Sequence, residues 1–148
     1  MGDSIVNEGV LYVEDLQVGD EAPVRSHVLT RTDLVAYAGA SGDYNPMHHD
    51  EVKAKAAGQP SVFGHGMFSM GLLGSALTDY VGVGNVRHYQ VRFAKQTWPD
   101  EHLSTRIVVT GTRQEGGEHL VDLDVGLHNA DGEEKVVGRA TAVVSSRG

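Results

Sequence analysis

From Val86 onward the chain keeps a period of two. Tyr89, Val91 and Phe93 fall on one face of the first segment, Leu103, Thr105, Ile107 and Val109 on one face of the second, and Val121, Leu123, Val125 and Leu127 on one face of the third. Gly116-Gly117 and Asp131-Gly132 supply the left-handed turn residues that hairpins need between them. Residues 136–144 read as the last strand. Ahead of Val86 the pattern is different. Residues 66–80 form the longest apolar segment, with Met67, Phe68, Met70, Leu72, Leu73, Ala76 and Leu77 and little polar face, which predicts a buried helix. Its small residues Gly71, Gly74, Ser75 and Ala76 permit close packing on a sheet, at a cost in helix propensity that packing must offset. Residues 24–29 suit a short strand. Thr30 or Thr32 can cap a short helix with Leu34, Val35 and Ala38 on one face, broken by Gly39 and Gly42. Asp50 is placed to cap a helix through Lys55, closed by Gly58. Strands meandering after one buried helix make an α+β domain, an antiparallel sheet wrapped around a long central helix.

The length of 148 residues fits one domain with a real core. The net charge of −8, with no basic run, argues against a nucleic-acid or anionic-membrane partner, since both require clustered Lys or Arg. The absence of cysteine removes disulfides, thiolate catalysis and cysteine-based zinc sites, and fits a cytoplasmic protein. Residues 1–9 carry neither a basic nor an apolar leader region, and Val6 stands where a myristoylation signal needs Ser or Thr, so no targeting signal is expected there. No apolar run approaches the length of a membrane span.

Chemistry concentrates in Asp43-Tyr44-Asn45-Pro46-Met47-His48. A carboxylate and an imidazole stand five positions apart on a stiff segment, with a proline that bars a regular helix between them, and such a pair suits general acid–base work. About twenty residues on, His65-Gly66-Met67 heads the apolar helix. A glycine there can aim its bare N–H at a developing negative charge. Alone, an Asp and a His at this spacing would read as solvated loop residues. His49 and Asp50 read as bystanders, Asp50 as a helix cap. The side chain of His65 reads as shaping the turn. Asp43, His48, His49, Asp50 and His65 include metal-ligand types, but adjacent histidines rarely face one centre and no HExxH pattern exists, so no metal site is expected. The glycines of residues 64–69 miss the dinucleotide fingerprint, and Ser69 lacks the first glycine of a nucleophile elbow. Arg87 and Arg92 read as solvated strand residues.

The string from Tyr37 to His48, the His65-Gly66-Met67 triplet and the Val91-Arg92-Phe93 strand resemble the MaoC-like family of (R)-specific enoyl-CoA hydratases and β-hydroxyacyl-thioester dehydratases, which has the hot-dog fold. The resemblance runs from about Leu16 to the C-terminus and implies a single hot-dog domain with its core at about residues 16–145. It implies that Asp43 and His48 hold a water that adds to C3 of a trans-2-enoyl thioester, with a proton delivered to C2. It further implies that Asn45 orients the pair and that the Gly66 N–H binds the thioester oxygen. The loop at residues 96–101 departs from the family, lacking a glycine many relatives carry there.

From this reading Asp43, His48 and Gly66 are the expected catalytic residues. Asn45, Tyr44, Phe63, His65 and Met67 are the expected substrate-binding residues, at a tunnel passing the pair between the central helix and a neighbouring subunit. No cofactor is expected beyond the CoA or acyl carrier protein that carries the substrate. A homodimer or higher homo-oligomer is expected, with a heterodimer of two hot-dog subunits as the variant. The competing readings are a hot-dog acyl-CoA thioesterase, in which a carboxylate activates water for attack at C1, and a non-catalytic subunit of a hetero-oligomeric dehydratase.

Overall fold

Thr30 opens the first helix, α1 (Arg31–Ser41). Its hydroxyl accepts the Asp33 N–H, and the Asp33 carboxylate accepts the Thr30 N–H in return, so two otherwise unpaired donors are satisfied at once. The helix runs through Gly39 rather than breaking there. It ends at Gly42, whose φ of 75° is the left-handed cap that glycine adopts without strain. Leu34 and Ala38 are buried, whereas Val35 is exposed, so the inward face is narrower than the sequence suggests. Asp50 caps α2 (Glu51–Ala56) by accepting the Lys53 N–H. The structure, a computed structural model, describes residues 10–148; the expectations about a leader and a lipid signal concern residues 1–9 and lie outside the described residues.

α3 (Gly66–Val81) is the central helix, one residue longer than the apolar pattern predicts. It buries Leu73 and Leu77 almost completely. Each such leucine contributes about 1.5–3 kcal/mol by leaving water. Around α3 five antiparallel strands are ordered β1-β3-β4-β5-β2. They are β1 (Ser26–Val28), β2 (Val86–Phe93), β3 (His102–Glu115), β4 (Glu118–Asn129) and β5 (Glu134–Val144). β1 is shorter than the expected residues 24–29. The alternation in β3 and β4 is realised: Leu103, Thr105, Ile107, Val109, Val121, Leu123, Val125 and Leu127 are all buried. Gly116 and Gly117, with φ of 58° and 81°, form the two-residue turn between Glu115 and Glu118, the conformation that matches strand twist.

On β2 the inward face weakens toward its end. Tyr89 is half-buried and its hydroxyl donates to the Met70 carbonyl at 2.7 Å, tying β2 to α3, while Phe93 is 50% exposed. Among the described residues β2 pairs with β5 alone and forms one edge of the sheet. Among the described residues no helix is long and apolar enough to cross a membrane.

Candidate active site

The turn after α1 is built from its own side chains. The Ser41 hydroxyl donates to the Tyr37 carbonyl at 2.7 Å and accepts the Asp43 N–H at 3.1 Å. Asp43 Oδ1 accepts the Asn45 N–H at 3.2 Å, and Asn45 Oδ1 caps the short 3-10 turn Pro46–His48 by accepting the Met47 N–H at 3.0 Å. The proline sits at the first position of that turn, where its missing N–H is no loss. This brings the five-residue spacing into register: His48 Nε2 lies 3.9 Å from Asp43 Oδ2.

His48 is buried, and its Nδ1 lies 2.6 Å from the Phe63 carbonyl oxygen. A carbonyl only accepts, so Nδ1 carries the proton and Nε2 presents a lone pair toward the carboxylate. The separation of 3.9 Å is too long for a direct hydrogen bond. Asp43 is half-exposed and His48 nearly covered, so the pair stands at a boundary between solvent and interior.

His65 is drawn into the same cluster. Its Nε2 donates to the Asp43 backbone carbonyl at 3.1 Å, which ties the start of α3 to the Asp43 turn. Its ring stacks on that of His48, centroids 3.8 Å apart, with Tyr37 edge-on at 4.8 Å on another side. Burial pushes the His65 pKa down, and the neighbouring His48 adds to that; the bond to the Asp43 carbonyl opposes it. His65 Nδ1 is buried without a partner among the described residues.

Asp43, His48 and His65 each offer an atom within 4.8 Å of the others. A metal bound by both histidines at about 2.1 Å would have to lie in both ring planes. Planes tilted by only 28° and stacked do not meet so close to the rings, so this donor set does not suit a shared metal centre.

Gly66 is the first residue of α3, and the preceding His65 makes no side-chain cap. The N–H groups of a helix's first turn have no partner within the helix. Gly66 lines a cavity of about 620 Å³ with His48, Phe63, Gly64 and Ser69 on one side, and Phe93, residues 94–98, Glu133, Lys135 and Val136 on the other. Gly64 belongs here because its neighbour allows nothing larger: a Cβ would overlap the Thr97 hydroxyl. Its N–H donates to the Thr97 carbonyl at 2.9 Å.

Of the residues singled out in the sequence, His48, Phe63 and Gly66 line the cavity, Asp43 stands against His48, and Asn45 shapes the turn that joins them. His65 packs behind the pair. Tyr44 and Met67 are 64% and 56% exposed and lie outside the cavity wall. Phe93, at the end of the strand that carried the resemblance, lines the cavity; Thr97, Trp98 and Lys135 line it too but carry no local pattern that marks them. Only the missing glycine of the 96–101 loop drew attention to their neighbourhood, and there Asp100 takes the left-handed conformation itself, with φ of 74°.

A family model described as a MaoC like domain matches residues 16–130. 3-hydroxyacyl-thioester dehydratase Y from Mycobacterium tuberculosis is 39% identical over 82 residues, which are 53% of this chain and 28% of that protein. (R)-specific enoyl-CoA hydratase from Rhodospirillum rubrum is 28% identical over 139 residues, 93% of this chain and 94% of that protein. Among solved structures, R-Hydratase PhaJ1 from Pseudomonas aeruginosa superposes with a TM-score of 0.78 at 24% identity, covering 93% of this chain and 88% of that one, a likeness of fold. The chain spans only 5–28% of the length of three of the curated relatives it matches.

Proposed function

The chain belongs to the MaoC-like family and has the hot-dog fold, and we propose that it hydrates trans-2-enoyl thioesters to (R)-3-hydroxyacyl thioesters and catalyses the reverse dehydration. The observation that carries this reading is the orientation of His48. With its Nδ1–H tied to the Phe63 carbonyl, His48 turns Nε2 toward the Asp43 carboxylate, 3.9 Å away, at a cavity that Gly66 at the head of α3 also lines.

A single water oxygen can bridge a gap of that size, with each of its bonds near the usual length of about 2.8 Å. It would donate one hydrogen to Asp43 Oδ2 and the other to His48 Nε2, leaving its lone pairs for C3 of the enoyl group. As the C3–O bond forms, negative charge moves through the double bond to the thioester oxygen. The Gly66 N–H and the positive end of α3 oppose that charge, and a donor placed in advance costs nothing to reorganise. His48 takes one proton from the water and passes it to C2, which restores the neutral imidazole, so the two hydrogens of water end on the 3-hydroxyl and on C2. Because the water is held on one face of the enoyl plane, one enantiomer results. Side chains and backbone supply every step, and the reading needs no metal or other cofactor.

The substrate is a thioester of CoA or of acyl carrier protein, and the active unit is a dimer of hot-dog chains. Two measurements on one sample test the reading: loss of the enoyl absorbance of crotonyl-CoA, and chiral analysis of the 3-hydroxybutyryl product. Hydration giving the (R) product is expected. Release of free thiol without hydration would establish the thioesterase reading instead. An (S) or racemic product would mean that this pair does not hold the water.

A further inference from the structure

Lys135 has the least exposed side chain of any charged residue described, at 1%. It is the extra residue of a β-bulge near the start of β5, between Glu134 opposite His128 and Val136 opposite Leu127, and it is buried out of phase with the inward residues Val136, Ala140, Ala142 and Val144. A buried ammonium is destabilising unless every proton is bonded and its charge opposed. Here it is. Nζ donates to the Gln96 carbonyl at 2.9 Å and to Glu133 Oε1 at 2.6 Å, and it pairs with Glu101 Oε1 at 3.1 Å. Glu101 is itself engaged: Oε1 accepts the Trp98 N–H at 2.8 Å and Oε2 accepts from the Asn129 amide at 2.8 Å.

These bonds converge on the segment 94–101, of which residues 94–98 line the cavity. The Lys135 carbonyl accepts the Ala94 and Lys95 N–H groups at 2.9 and 3.3 Å, and the ammonium holds the next carbonyl along. Glu101 closes the turn in which Asp100 sits at φ 74°, a conformation costing a non-glycine residue on the order of 1 kcal/mol. Between these anchors the Thr97 carbonyl accepts the Gly64 N–H, two residues before Gly66. The Thr97 hydroxyl lies where a Cβ on residue 64 would stand, so only glycine lets the two segments approach this closely.

We propose that Lys135, with Glu101, is a positioning residue: it fixes segment 96–101, and through the Thr97–Gly64 bond it sets where the Gly66 N–H meets the substrate oxygen. This rests on the hydratase reading above. Its weight follows from geometry, since a shift of about 1 Å in a donor can cost about 100-fold in rate.

The test is Lys135→Met, close in length but uncharged, beside Lys135→Met/Glu101→Gln, which leaves no buried carboxylate without its counter-charge. Both are assayed with crotonyl-CoA. In an Asp43→Asn background, where the thioester survives, bound 2,4-hexadienoyl-CoA is examined for the red shift that a donor on its carbonyl induces. For the variants that fold, kcat should fall by about tenfold or more with a smaller change in KM, and the red shift should shrink. The double variant should regain thermal stability over the single one without regaining kcat, which a purely structural role would not produce. A folded variant with kcat within about twofold of wild type and an undiminished red shift overturns the proposal. So does failure of both variants to fold, which would make the network structural only. A wild type that neither hydrates crotonyl-CoA nor shifts the dienoyl spectrum overturns the hydratase reading instead.

Discussion

Two imidazoles lie face to face at 3.8 Å, and their surroundings divide the work between them. His48 keeps Nε2 free toward Asp43, while His65 spends its one N–H on the Asp43 carbonyl and keeps the other nitrogen buried. Burial holds the His65 pKa below the ordinary 6.5. The unfolded chain therefore binds this proton more readily than the folded one. The contribution to stability is full above about pH 6.5 and is lost as pH falls below it toward the folded value. Melting temperatures between about pH 7 and pH 5 should fall, and His65→Gln, which keeps a donor for the Asp43 carbonyl, should flatten that slope. Equal slopes in both proteins would show that His65 titrates alike folded and unfolded. The pair proposed to activate the water is tested more sharply. Asp43→Asn and His48→Gln should each lower kcat/KM for crotonyl-CoA by about 100-fold or more, and the double variant should lose little beyond the worse single one, as for groups acting as a unit. Near-normal turnover in either single variant removes that residue from the mechanism.

At the scale of elements, α3 and the paired strands were legible because each has a periodic face. The helix begins at Gly66 as its apolar run does, and β3 and β4 bury every residue their alternation marks. Asp43, Asn45 and His48 were legible because one short turn carries all three. The opposite wall of the cavity was not. Residues 94–101 have no period, and their place is set by bonds to Lys135, Leu29 and Gly64, which lie far away in the chain. Lys135 is buried at a bulge that no alternation announces, held there by three oxygen partners. Tyr44 and Met67, expected at the substrate, are exposed in the single chain and stand outside the cavity that this chain forms alone. The contact between the two walls is open to a direct test. Gly64→Ala places a methyl on the Thr97 hydroxyl, and overpacking of this kind costs about 1–3 kcal/mol. That hydroxyl has no partner among the described residues, so Thr97→Ala sacrifices little and makes room. Urea unfolding of the two single variants and the double should show the double recovering part of the Gly64→Ala loss. Simple additivity would mean the walls do not press on each other.

The whole molecule ends unevenly at its two sheet edges. β1 contributes three residues to one edge, whereas β2 offers eight at the other, bonded among the described residues to β5 on one side only. A long open strand recruits another strand unless it is covered or blunted. Phe93 stands half-exposed at the end of β2 and packs against Gly66 at the head of α3, so the open edge and the cavity meet there. Antiparallel pairing of two β2 strands about a two-fold axis would join the sheets and cover this margin in one step. The net charge of −8 opposes looser association beyond such a specific contact. The expected mass in solution is therefore twice 15.8 kDa. Light scattering on eluting protein at micromolar concentration checks it, and a mass of one chain would refute the pairing. Phe93→Glu should shift the equilibrium toward monomer and lower hydration of crotonyl-CoA with it. If association is what completes the site, raising the protein concentration should restore specific activity in step with the dimer fraction. A fully dimeric Phe93→Glu variant with low activity would instead assign Phe93 to the cavity wall alone and place the interface elsewhere.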